Sequence, residues 1–232
     1  MFVASLAWPE VERQIAGGTV AVLPIGAAAK EHGRHLPMNS DWLQAEYLAR
    51  RLAERARVLV WPTVGYGYYP AFSDYPGSCT VTAAIFEQTV EQIAESIFRS
   101  GALALLIVNT GISTIAPLEN YAARCKHPIK LAHVYRGARY AQAEREICQQ
   151  ERGGHGDEAE TSIMLVIAPD RVSMAEAHAW QSSKMGAGKF VRSDPSHANF
   201  SPDGIYGDPT LASREKGQRL LDAMLEDLFE LL

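Results

Sequence analysis

Between Lys30 and Asp41 the chain reads KEHGRHLPMNSD, which packs two histidines, two carboxylates and two cations into twelve positions directly after the apolar run Thr19–Ile25. A second cluster, GGHGDEAETS (153–162), adds His155, Asp157, Glu158 and Glu160. Taken together, these residues form a mixed nitrogen and oxygen donor set. Such a set suits zinc, manganese or iron(II) rather than calcium or a thiolate-bound ion, and it could hold one or two ions. Each residue also has an ordinary role open to it. Asp41 is a good helix N-cap before WLQAEYLARRL, Glu158 reads as a solvated carboxylate, and a lone histidine is more often a hydrogen-bonded residue than a ligand. What favours chemistry is that several such residues fall in loops at one end of the same sheet.

The elements that must position them follow from the hydrophobic pattern. TVAVLPI (19–25), RVLVWP (57–62), LALLIVN (103–109) and IKLAHVY (129–135) are short and β-branched or Leu-rich with little polar alternation, as strands buried on both faces should be. Between them, residues 41–56, 83–100 and 115–124 show helical spacing, and a last helix spans 211–232. The βαβαβαβ order predicts right-handed crossovers and a parallel sheet with helices on both sides. Ligands of such folds collect in loops after the carboxyl ends of the strands, which is where KEHGRHLPMNSD, YGYYPAFSDYPGSCT (66–80) and NTGIST (109–114) lie. A helix over 157–168 would put Glu160 on the border of the apolar stripe Ala159, Ile163, Val166 and Ile167. There a carboxylate needs a cation, a metal or donors to offset its burial. Residues 182–207, rich in Gly, Ser, Pro and Asp, read as a long surface excursion.

Composition sets the outer bounds. The 232 residues, 47% hydrophobic, can bury a sizeable core and are read as a single domain over 1–232. A net charge of −5 without basic runs offers no footprint for nucleic acid. Three cysteines with no CxxC spacing suggest reduced thiols and a cytoplasmic setting. The N-terminus lacks a basic leader with a long apolar core, and no apolar stretch reaches the roughly 20 residues of a membrane helix, so no membrane partner is expected.

At this point EHGRHLP with Asp41, YGYY and YPGS, HGDEAETS and SPDGIYGDPTLASREKG resemble the creatininase (creatinine amidohydrolase) family over nearly the whole chain. The family's pattern runs LPxG with EQHGxHLPxxxD, then YG and FPGT, NGHGGN, HAGExETS and SPxGxxGdP. The resemblance implies a three-layer αβα sandwich with a mainly parallel central sheet, a divalent metal site, hydrolysis of a non-peptide C–N bond in a small cyclic or linear amide, and a homo-oligomer, often a hexamer. His32 and Asp41 match the family's metal-binding His and bridging Asp, Glu160 matches the Glu of HAGExETS, and His155 matches the His that opens it. Three positions depart. The family Glu two residues before its His falls on Lys30, NGHGGN becomes NTGIST so that its ligand His becomes Gly111, and the His of the FPGT loop becomes Phe72.

The expected site therefore has Glu31, His32, Asp41 and Glu160 as metal ligands and His155, with Glu158, as the proton-transfer candidates. His35, Tyr66, Tyr68, Phe72 and Asn109 are expected around a small-molecule substrate, with Tyr69 and Tyr75 as further aromatic walls of the pocket. The amides of NTGIST are a candidate oxyanion cradle. An extra residue in GAAAK and a turn at Gly33 favour a kink that swings Glu31 inward and Lys30 out, the alternative being that Lys30 serves the substrate. A different class of function is a binding or regulatory relative that kept the fold and lost turnover, for which Gly111 and Phe72 argue. A lyase use of the same Lewis acid is a third reading.

Overall fold

A computed structural model describes residues 1–232. Four parallel strands, β1 (Val20–Ile25), β2 (Val58–Val60), β3 (Leu105–Asn109) and β4 (Ile129–His133), form one sheet in the order β2-β1-β3-β4. Register runs Val20 to Val58 between β1 and β2, Ile25 to Asn109 between β1 and β3, and Asn109 to His133 between β3 and β4. The helices are α1 (Trp8–Ala16), α2 (Ser40–Arg55), α3 (Ala83–Arg99), α4 (Ile115–Arg124), α5 (Ala138–Ile147), α6 (Glu158–Ile167) and α7 (Arg214–Glu230).

The strands are buried on both faces, which is why their sequence lacks alternation. Val22, Val58, Val60, Leu106 and Val108 point into a core shared with Leu48 and Leu52 of α2, Ile163 of α6 and Leu220, Leu221 and Met224 of α7. Ala21, Leu23, Ile25, Leu105 and Ile107 point the other way, onto Phe86, Val90, Ala94 and Ile97 of α3 and Leu118 and Tyr121 of α4. The result is the three-layer αβα sandwich. The chain leaves β1 for β2 on one side and returns to β3 on the other, so the loops after β1 and β3 part at a topological switch point, where open α/β sheets bind ligands.

Helices α1 and α5 were not legible in the periodicity, because each buries a single residue, Ile15 and Tyr140 respectively. The last helix starts at Arg214 rather than 211, since Pro209–Leu211 forms a 3-10 turn and the Ser213 side chain accepts from Lys216 N at 3.2 Å to cap α7. Asp41 is not the N-cap of α2. That position is Asn39, without a side-chain bond, and Asp41 lies in the first turn. Residues 182–207 are not a free excursion either. Phe190 N donates to Ala71 O at 2.8 Å, Trp180 pairs with Gly207, and Ser201 and Ile205 are fully buried.

Candidate functional site

The loop after β1 is tied down along its length. Lys30 N donates to Met38 O at 2.9 Å and Glu31 N to Ser78 Oγ at 3.0 Å, while Gly33 makes the expected turn with φ +80°. The turn does not expel Lys30, as the expected kink required. Lys30 and Glu31 are each only 6% exposed. Lys30 Nζ lies 2.7 Å from Asp41 Oδ2, an ion pair by distance although the approach falls outside hydrogen-bond angles and leaves Oδ2 without an aligned donor. The ammonium also sits 5.0 Å from the Phe72 ring centroid. The other Asp41 oxygen, Oδ1, is 2.9 Å from His32 Nε2, and His32 Nδ1 is 2.9 Å from Lys30 O. Burial favours the neutral form of each member of the Lys30–Asp41 pair, but the attraction outweighs it. Asp41 is held well below the usual carboxylate range by Lys30 and His32, and Lys30 is raised by Asp41, Glu160 and Glu31.

The second segment meets the first through His155. Its Nε2 contacts Glu31 O at 2.8 Å and Glu31 Oε2 at 3.2 Å, and its Nδ1 lies 3.7 Å from Glu160 Oε2. Burial works against the imidazolium, yet the Glu31 carboxylate outweighs it and raises the His155 pKa. Glu31 is itself lowered, its burial offset mainly by His155. A Cβ at Gly204 (φ +86°) would fall 2.0 Å from the Glu31 carboxyl carbon, so only glycine closes that side of the niche. Glu31, expected as a ligand, is thus turned to His155 and to the amide of Gly33, away from the His32–Asp41 pair.

Donor atoms of His32, His155 and Glu160 lie within 4.8 Å of one another. With Asp41 Oδ1 facing His32 Nε2, this nitrogen and oxygen set fits one zinc, manganese or iron(II) ion. Asp157, part of the donor set, is engaged elsewhere: Oδ1 accepts from Glu160 N at 3.0 Å to cap α6 and Oδ2 accepts from Gln150 Nε2 at 2.7 Å. A cavity of about 160 Å³ opens over the cluster, lined by Lys30, His155 and Glu160 with Tyr69, Phe72, Phe190 and the 110–113 loop. A second cavity of about 280 Å³ shares Ile112, Gly154 and Glu160 with it and adds Tyr135 and Tyr140.

A sequence model described as creatinine amidohydrolase matches residues 4–232. The chain belongs to the creatininase family. It is 27% identical to the creatinine amidohydrolase of Pseudomonas putida, covering 98% of this chain and 94% of that one. It is also 23% identical to a mycofactocin precursor peptide peptidase of Mycolicibacterium smegmatis, over 89% and 81% of the two chains. Among solved structures, a crystal structure of creatinine amidohydrolase superposes with TM-score 0.82 at 26% identity, covering 99% of this chain and 95% of that one. A mutant creatininase of Zn-Zn type superposes at 0.80, again at 26% identity and over 99% and 96%.

Against this creatininase frame several expected residues stand elsewhere. Glu158 is fully buried away from the cavity. Its Oε2 accepts from Gln149 N and Gln150 N at 2.8 Å each, and its Oε1 pairs with Lys216 of α7, so it ties α6 to α7 instead of carrying protons. Tyr66 is 59% exposed and Tyr68 packs against the α3 core; the aromatic walls are Tyr69, Phe72 and Phe190. Asn109 braces its own loop, donating to Gly111 O at 2.7 Å and accepting from Thr114 Oγ1 at 2.7 Å. Tyr69, expected among the aromatic walls, does line the cavity, whereas Tyr75 does not and donates its hydroxyl to Ser201 O at 2.6 Å. Phe190, in the segment read as surface, gave no signal.

His35 does not line the cavity; its Nε2 meets Thr161 Oγ1 at 2.8 Å behind α6. Burial lowers its pKa from 6.5 to about 4. The unfolded chain therefore takes up this proton near pH 6.5 and the folded chain only near 4, so stability is lost as pH falls through that window. At about 1.4 kcal/mol per pH unit the loss amounts to at most about 3 kcal/mol. Urea titrations of wild type and His35→Gln between these pH values check this: the variant should show a flatter acid dependence, and an identical slope would show that His35 already titrates normally.

Proposed function

We propose that this chain is a metal-dependent amidohydrolase that cleaves a non-peptide C–N bond of a small cyclic or linear amide, with one ion held by His32, Asp41 and Glu160. The observation that carries this reading is the approach of His32, His155 and Glu160 donor atoms to within 4.8 Å of one another, with Asp41 Oδ1 2.9 Å from His32 Nε2, beside a cavity that Lys30, His155 and Glu160 line. A divalent ion bound there supplies Lewis acidity, which makes water nucleophilic near neutral pH and polarises a carbonyl. His155 is fixed at Nε2 by the Glu31 carbonyl and carboxylate, which leaves Nδ1 as the atom that carries a proton to the leaving nitrogen. Tyr69, Phe72 and Phe190 exclude water and flank a flat amide.

The cavity's size argues for a small substrate. At about 160 Å³ it suits a small amide, and the adjoining cavity of about 280 Å³, which shares Ile112, Gly154 and Glu160 with it, leaves room for a longer linear one. Assembly is proposed as a homo-oligomer, hexamer favoured, on the family resemblance. The test of the hydrolase reading is dialysis against a chelator followed by addition of manganese, zinc or iron(II), with ion content and turnover of a panel of small cyclic and linear amides measured together. Turnover should vanish with the ion and return with it. Stoichiometric ion binding with no turnover across the panel would favour the binding or regulatory reading, for which Gly111 in place of the family's His speaks.

A further inference from the structure

We propose that the Lys30 ammonium is the site's second cation, occupying the Oδ2 side of Asp41 so that the chain holds one divalent ion, on the Oδ1 side, and not two. The inference rests on the metal-dependent reading above and fixes its stoichiometry. Its first support is geometric. Asp41 lies between a histidine and a lysine, with Oδ1 2.9 Å from His32 Nε2 and Oδ2 2.7 Å from Lys30 Nζ. An ion approaching Oδ2 would meet the ammonium, and Lys30 is 6% exposed and packed against the Phe72 ring, so it has little room to withdraw.

Charge gives the second support. The carboxylates facing the cluster are Asp41, Glu31 and Glu160; Glu158 is paired with Lys216, and both oxygens of Asp157 are taken by Gln150 and the Glu160 amide. With His155 neutral, the three negative charges balance one divalent ion and one ammonium. Two divalent ions beside the same ammonium would leave an excess of two positive charges in a buried site, an arrangement that low dielectric penalises heavily.

The donor inventory gives the third. A second ion would draw ligands from the loops facing Oδ2, residues 69–72 and 110–113, and these offer no histidine or carboxylate. Thr110 Oγ1 donates within reach of Ile25 O at 3.1 Å and Asp41 O at 3.0 Å, Gly111 and Ile112 have no donor side chain, and Phe72 is apolar. Lys30 also lines the substrate cavity beside His155 and Glu160, and it has no second carboxylate within ion-pair distance. It therefore presents a fixed positive charge to the cavity that no chelator can remove, in the place where a second metal would otherwise face the substrate.

Equilibrium dialysis and calorimetric titration of metal-free protein with Mn²⁺ or Zn²⁺ test this on wild type, Lys30→Met and Lys30→Glu, with thermal melts to establish that each is folded. Wild type should bind one ion per chain. Lys30→Met should still bind one, at least tenfold more tightly, because the nearest positive charge is gone and Asp41 is freed. Lys30→Glu should bind a second, weaker equivalent. Two equivalents in wild type would overturn the proposal while leaving metal-dependent hydrolysis standing, and that result needs no variant to fold. Unchanged affinity and stoichiometry in both folded variants would overturn it too. No ion in wild type, with or without one in Lys30→Met, would overturn both this proposal and the metal-dependent reading.

Discussion

Replacing Asp41 by Ala is expected to cost about 3–5 kcal/mol of folding stability and to abolish divalent-ion binding, far more than the roughly 1 kcal/mol that loss of a helix cap would cost. Asp41 is buried in the first turn of α2, and its two oxygens face the equally buried Lys30 and His32. Truncation would leave the Lys30 ammonium without a counter-charge, which is the expensive way to break a buried pair. Removing both partners is cheaper than removing one. The double variant Lys30→Met with Asp41→Ala should therefore recover most of the lost stability without recovering the ion. Urea midpoints and ion content of the two single variants and the double variant complete the cycle. A stability loss below about 1 kcal/mol in Asp41→Ala would show that the pair is energetically idle and that the helix start is all Asp41 provides.

That expected cost exceeds what the sequence suggested, and the reason shows where sequence reading stops. Parallel strands and amphipathic helices announce themselves through local pattern, so β1, β3, α2, α3, α4 and α6 stand within a residue or two of where periodicity puts them. Loop position was legible for the same reason, since His32, Asp41, His155 and Glu160 had to lie beyond strand ends or at a helix start. Side-chain direction within a loop is different. Alternation along an extended segment puts Lys30 on the His32 side and Glu31 on the other, and so they stand, Lys30 on Asp41 and Glu31 on His155; the kink expected to exchange them does not form, the turn coming only at Gly33. Partners distant in sequence were equally hidden. Nothing near Glu158 foretells Lys216, which lies on another helix, and nothing in the polar 182–207 segment foretells that Phe190 would reach Phe72 at 5.4 Å between ring centroids. Asn109 looked like a pocket residue because it ends β3; its side chain is consumed in shaping the loop that follows.

The other large effect is expected at His155. Its replacement by Asn should lower kcat by about 10²–10⁴-fold, the range for loss of a positioned acid–base group, while ion affinity changes by less than about tenfold. The role of His155 follows from which of its nitrogens is free. Nε2 is committed to the Glu31 carbonyl at 2.8 Å and carboxylate at 3.2 Å, so it carries the proton that those acceptors need, and Nδ1 faces the cavity 3.7 Å from Glu160 Oε2. The Phe72 ring, 4.0 Å away between centroids, holds the imidazole plane from its other side. A histidine so anchored can exchange a proton at one atom without rotating. Glu31→Ala should then act through His155, because it removes the carboxylate that fixes the tautomer but leaves the backbone carbonyl contact. It should lower kcat more than it raises KM, and Glu31→Gln, which keeps an acceptor in the niche closed by Gly204, should recover part of the loss. Steady-state kinetics and ion titration on the three variants decide the matter. A drop of about 100-fold or more in ion affinity for His155→Asn, in the range seen when a metal's shell is broken, would instead make Nδ1 a metal ligand alongside His32 and Glu160 and would move the proton-carrying role elsewhere in the site.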